Sequence, residues 1–142
     1  MKRTTLLLLT VLLSFGAVGA NAEEKNDIFS KVVGTWEWAD RVGTAESNPH
    51  TIKFIDENKA AVFSLVNPIK SQDGTTKRSY TYKVLYSGEH SITMFLDGET
   101  RKTDAGDLVI WVLMLKTPDV YCWRRTDWPP QGCTKEVRRV KP

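Results

Sequence analysis

Ser79-Tyr80-Thr81-Tyr82-Lys83-Val84-Leu85-Tyr86 carries the clearest strand signature in the chain. Tyr80, Tyr82, Val84 and Tyr86 share one parity, and Ser79, Thr81 and Lys83 share the other. A period of two marks a half-buried strand, because successive side chains point to opposite faces of a sheet. Ser87-Gly88-Glu89 then supplies a short hairpin turn, and Ile92, Met94 and Leu96 resume the apolar face before Asp97-Gly98.

The same period extends from this strand in both directions. Upstream, Gly34, Trp36 and Trp38 alternate with Thr35 and Glu37. Ile52 and Phe54 alternate with Thr51 and Lys53, and Asp56-Glu57-Asn58 gives turn chemistry before Ala61, Phe63 and Leu65. Asn67-Pro68 and residues 71–76 read as a polar loop. Downstream, a long polar loop reaches Asp107, followed by apolar residues 108–115, the turn Thr117-Pro118-Asp119, residues 120–125 and a last strand over residues 134–140. The only helical signal is a short turn within residues 26–33.

Eight strands joined without helix-length crossovers pair as an antiparallel meander. The expected fold is all-β: an eight-stranded antiparallel meander barrel with a short N-terminal helical turn, or a two-sheet β-sandwich as the alternative. Barrel closure would remove the edges that one flat sheet exposes.

Met1-Lys2-Arg3, a mostly apolar run over residues 6–18 and Ala20-Asn21-Ala22 have the form of a secretory signal peptide over residues 1–22, cleaved after Ala22. Taking twenty-two from 142 residues leaves 120, one domain over residues 23–142. Without Lys2 and Arg3, 18 basic side chains face 17 acidic ones. That near balance argues against a nucleic-acid partner, which needs a dense basic face. No later segment has the apolar length for stable membrane insertion. The leader lacks a cysteine for lipid attachment, so the expected location is periplasmic or secreted.

The two cysteines, Cys122 and Cys133, read as one disulfide in an oxidising compartment. It closes ten residues that include Asp127-Trp128-Pro129-Pro130. No Cys-x-x-Cys pair is present to suggest redox or metal chemistry, and neither a metal nor another cofactor is expected.

Gly34-Thr35-Trp36, placed after a helical turn and at the start of an eight-strand meander, resembles the Gly-x-Trp opening of lipocalins and related calycin barrels. The resemblance implies that Trp36 closes one end of a barrel and that a basic side chain from a late strand packs across it. Arg124, Arg125, Arg138 and Arg139 are the candidates.

Trp38, Phe54, Phe63, Tyr80, Tyr82, Tyr86, Tyr121 and Trp123 would converge if every apolar face turned inward. They either fill a solid core or line a cup for a small apolar or aromatic ligand. In the second case Trp38, Tyr80, Tyr82, Tyr86 and Trp123 are the expected ligand-binding residues. The 108–115 run is apolar on both faces, so the face carrying Val109, Trp111, Leu113 and Leu115, or its complement, needs separate cover. Either the run is a doubly packed strand, or Trp111 marks an interface for a homodimer or another protein.

An enzyme is not expected and no catalytic residue is assigned. His50 and His90 are the only histidines and lack a Gly-x-Ser-x-Gly or His-Glu-x-x-His context. A strand-edge histidine of this kind reads as surface polar. Asp97, Glu99, Asp104 and Asp107 are interrupted by Arg101 and Lys102 and do not follow calcium-loop spacing, so they read as a solvated loop. Two non-enzymatic functions remain. One is a carrier or sensor for a small apolar ligand. The other is an envelope inhibitor or immunity-type protein that blocks a cell-wall hydrolase or toxin, with Trp128 as its rigid anchor.

Overall fold

The computed structural model describes residues 27–142 apart from Gln72 and Gln131, so the expected signal peptide lies outside the described residues. The elements are α1 (Ile28–Val32), β1 (Gly34–Trp38), β2 (His50–Ile55), β3 (Ala60–Lys70), β4 (Thr76–Ser87), β5 (Ser91–Leu96), β6 (Trp111–Thr117), β7 (Val120–Arg125) and β8 (Val137–Arg139). Each strand pairs antiparallel with the next, and β8 returns to β1 to close the barrel. The meander barrel, not the two-sheet sandwich, is the fold.

The two ends of the barrel differ. Connections at one end are short: residues 56–59, 88–90 and 118–119. The first is so tight that Asp56, Glu57 and Asn58 all take positive φ, a conformation that short polar side chains tolerate best. Connections at the other end are longer, spanning residues 39–49, 71–75, 97–110 and 126–136.

Helix α1 plugs the short-turn end. Asp27 caps it by accepting from the backbone N–H of Phe29 at 2.5 Å and of Ser30 at 3.4 Å. Ile28 and Val32 are buried in the core, and Phe29 meets Phe54 edge to face at 4.9 Å. Beyond them Trp36, Ile52, Ile92, Leu113, Tyr121 and Val137 are buried in the packed interior.

Three departures from the alternating pattern have physical causes. Strand β3 continues through Asn67-Pro68, where the sequence suggests a loop. The register of β3 against β4 shifts between Ser64 and Ile69, and a strand irregularity is a place where proline's missing N–H is tolerated. There Asn48 takes the place of a neighbouring strand: its Oδ1 accepts from Asn67 N at 2.8 Å and its Nδ2 donates to Asn67 O at 3.0 Å.

In β4 the pairing jumps from Val84 with Met94 to Tyr86 with Thr93. Leu85 is the extra residue, and one extra residue reverses the facing of the rest of the strand. Tyr86 is consequently 67% exposed on the outer surface, which corrects its expected place in the cup.

Strand β6 begins at Trp111, later than the apolar run suggests. Val109, Leu113 and Leu115 are buried, so the odd-numbered set is the inner one. Of the opposite set only Leu108 is exposed, and Met114 is flanked by Gly132 and Cys133 of the disulfide loop. These residues share a shallow groove, which leaves Met114 half-buried.

A closed floor and an aromatic cup

The barrel-closing pair is Trp36 and Arg139, which are register partners on β1 and β8. The guanidinium carbon lies 4.2 Å from the indole centroid. Arg139 Nη1 donates to Val33 O at 2.9 Å, and Nη2 donates to Lys31 O and to Pro118 O. Trp36 Nε1 donates to Val32 O at 2.9 Å. Sheet closure, indole burial and the orphan carbonyls of α1 are thus satisfied by one side-chain pair.

The other three candidate arginines do not close this end. Arg138 is exposed and faces Glu136 at 3.4 Å, because its parity on β8 is outward. Arg124 borders the shallow outer groove beside the disulfide. Arg125 belongs to the opposite end, where β7 finishes, and stacks on Trp111 at 4.8 Å and Trp128 at 4.7 Å.

Above the packed floor the interior opens into a cavity of about 530 Å³. Its walls include Trp38, Phe63, Tyr80, Tyr82, Trp111 and Trp123, while Leu65, Ile69 and Leu96 add aliphatic surface. Tyr82 and Trp123 stack at 5.7 Å with planes 25° apart, and Trp111 meets Trp123 edge to face at 5.5 Å. Four of the five expected ligand-binding residues therefore share one cavity: Trp38, Tyr80, Tyr82 and Trp123. Tyr86 does not join them.

Trp111 and Trp128 stand at the mouth, 6.1 Å apart between centroids. Both of these expected interface residues line the cavity. Arg125, held by Asp127 through Nε at 2.8 Å, makes its two stacking contacts with this tryptophan pair. Cys122 and Cys133 are joined, with Cα atoms 5.8 Å apart, and the bond anchors the connection that carries Trp128. Thr134 reinforces that anchor: its Oγ1 accepts from Trp123 N at 2.9 Å, and its N donates to Trp123 O at 2.9 Å.

Two polar groups in the cup, Glu99 and His50, were not among the expected ligand-binding residues. Glu99 is buried and receives Arg101 Nε at 2.7 Å, Arg101 Nη2 at 2.9 Å and Trp111 Nε1 at 2.9 Å. Burial pushes its carboxyl up, but the hydrogen bonds from Arg101 and Trp111 outweigh burial and bring it down to about 2. It remains an anion that fixes the Trp111 ring. Nothing in the alternation of residues 97–107 reveals this role.

His50 is also buried, contrary to the surface reading, and its Nε2 lies 2.5 Å from the Tyr121 hydroxyl. Burial lowers its pKa to about 4, against an opposing pull from the Glu37 charge. Burial likewise pushes the Tyr82 and Tyr121 phenols up, so both stay neutral. The signal for His50 was present in the sequence: it shares parity with Ile52 and Phe54. Among the described residues no cluster of three or more metal-ligating side chains occurs, and no helix is long and apolar enough to cross a membrane.

No protein-family profile matches the chain, and no curated protein matches it in sequence. Among solved structures, the crystal structure of Treponema pallidum Tp0751 (pallilysin) is similar with a TM-score of 0.40 and 10% identity, over 80% of this chain and 83% of that one.

Proposed function

We propose that the protein is an exported, non-enzymatic carrier or sensor that holds a small apolar or aromatic ligand in a lipocalin-like cup. The observation that carries this reading is the cavity of about 530 Å³ walled by Trp38, Phe63, Tyr80, Tyr82, Trp111 and Trp123. Its volume lies in the range of small-molecule sites, and a few fixed polar groups among mainly apolar walls are what such sites use for orientation. The disulfide fits an oxidising compartment. The rival reading, Trp128 as an anchor for a hydrolase or toxin, draws no support from its placement. Its ring packs against Trp111 and Arg125 at the protein's own rim.

A neutral naphthalene dye titrated against tryptophan emission tests the proposal. Saturable one-to-one quenching is expected, weakened at least several-fold by Trp111→Ala and unaffected by Tyr86→Ala. Absence of saturable binding across a panel of aromatic compounds would remove the carrier reading.

A further inference from the structure

The carrier reading leaves open what part of a ligand reaches the deep end of the cup, and the floor supplies an answer that rests on that reading. His50 lines the cavity while its Nε2 contacts Tyr121. Tyr121 is wholly buried, and among the described residues its hydroxyl has no acceptor other than His50, since the Trp123 indole N–H beside it can only donate. A phenol has one proton to donate. Were Nε2 to carry the imidazole proton, the phenol O–H would be left without an acceptor in a sealed site, which is costly. The satisfied arrangement has Tyr121 donating to Nε2. The neutral ring then carries its proton on Nδ1.

Among the described residues, none accepts a hydrogen bond from Nδ1. Among the described residues the fully enclosed side-chain polar atom without a partner is Thr103 Oγ1, not His50 Nδ1. The remaining access of His50 is to the cup it lines. Around it the surroundings are flat and aromatic, with Phe63 stacked on the imidazole at 5.9 Å and 29° and Trp123 stacked on Tyr82. The buried Glu37 carboxylate, which accepts from Trp38 N, Ser47 Oγ and Asn48 N, is close enough for its charge to act on the imidazole. An anionic group arriving at the floor would shed its water and feel that negative charge, since the basic residues of the lining, Lys70, Lys77 and Arg101, stand at the long-connection end. A cationic group would find a donor where it needs an acceptor.

We propose that the cup takes a flat aromatic ligand whose leading end is a neutral hydrogen-bond acceptor, such as a ketone, quinone or amide oxygen, seated on His50 Nδ1–H. His50 is the ligand-binding residue. Tyr121 is a positioning residue that acts by fixing the imidazole tautomer.

Two probes of nearly equal shape test this: 2-acetylnaphthalene, which has a carbonyl oxygen, and 2-isopropenylnaphthalene, which does not. Tryptophan quenching by the unmodified protein should show about tenfold tighter binding of the ketone. His50→Phe should bind both equally. Nitrogen-15 NMR of His50 should show a protonated Nδ1 and an unprotonated Nε2, and Tyr121→Phe should convert this to a tautomer mixture with a smaller ketone preference. Equal binding of the two probes by the unmodified protein overturns this inference and leaves the carrier reading standing, as does a protonated Nε2 in that protein. Failure of both probes to bind overturns the carrier reading and the inference together. The probe comparison and the tautomer measurement use the unmodified protein, so neither depends on a variant folding.

Discussion

Arg139 occupies the space beside Gly34 that any larger residue would need: a Cβ built at Gly34 would stand 2.6 Å from Arg139 Nη1. Gly34 also has φ of +139°, a conformation that L side chains rarely adopt. The Gly34-Thr35-Trp36 tripeptide therefore works as one unit with a residue from the last strand. Trp36 offers the ring, Arg139 covers it, and Gly34 leaves room for the guanidinium. Gly34→Ala is expected to destabilise the fold by about 1–3 kcal/mol, measured by urea unfolding. In an Arg139→Ala background the added cost should shrink, because the clash is gone and only the backbone strain remains.

Arg139→Ala should itself cost about 1–3 kcal/mol, combining a lost cation–π contact with lost hydrogen bonds to the Lys31, Val33 and Pro118 carbonyls and a lost ion pair with Asp119. Arg139→Lys should recover less than half of that loss, since an ammonium cannot reproduce the planar fork reaching three carbonyls. Full recovery by lysine in the same unfolding assay would show that charge alone closes the barrel.

Stability should fall on mild acidification. His50 has its pKa lowered to about 4 in the folded barrel, from an ordinary value near 6.5. The unfolded chain therefore takes up a proton more readily than the folded one between these values. The stabilisation is complete above about pH 6.5, is lost progressively as pH falls to about 4, and amounts to about 3 kcal/mol at most. His50→Phe should flatten the unfolding free energy across that window, whereas His90→Phe, at an exposed position, should leave it unchanged.

Removing the Cys122–Cys133 bond by replacing both residues with serine should lower stability by about 3 kcal/mol for a closed loop of this size. The connection carrying Trp128 loses its covalent anchor in that variant. Ligand dissociation from the cup should accelerate even under conditions where the barrel remains folded, as read by stopped-flow tryptophan emission. Unchanged dissociation would mean that the Arg125 and Thr134 contacts hold the rim without the bond.

The alternation around Tyr82 was enough to predict strands, antiparallel pairing and the inward facing of Phe63, Tyr80, Tyr82 and Trp123. It failed at Tyr86 because a bulge consumes one residue, Leu85, and no local composition marks where a bulge will fall. His50 was legible by parity and missed by type, since histidine is polar while its neighbours Ile52 and Phe54 already pointed to the interior. Glu99 and Arg101 were not legible at all. Their pairing depends on Trp111, twelve residues beyond Glu99, presenting an indole N–H to the carboxylate. Arg139 could not be separated from Arg124, Arg125 and Arg138 until register fixed which guanidinium lay across Trp36.

All four long connections emerge beside the cup, while the opposite end is tied by tight turns, a helical plug and Arg139. Variation at Ser71, Asp73, Asp97 and Thr100, which line the cup from those connections, can thus reshape what enters without disturbing the base. The scaffold is suited to recoding at its mouth: libraries confined to those positions should yield new specificities on an unaltered chassis.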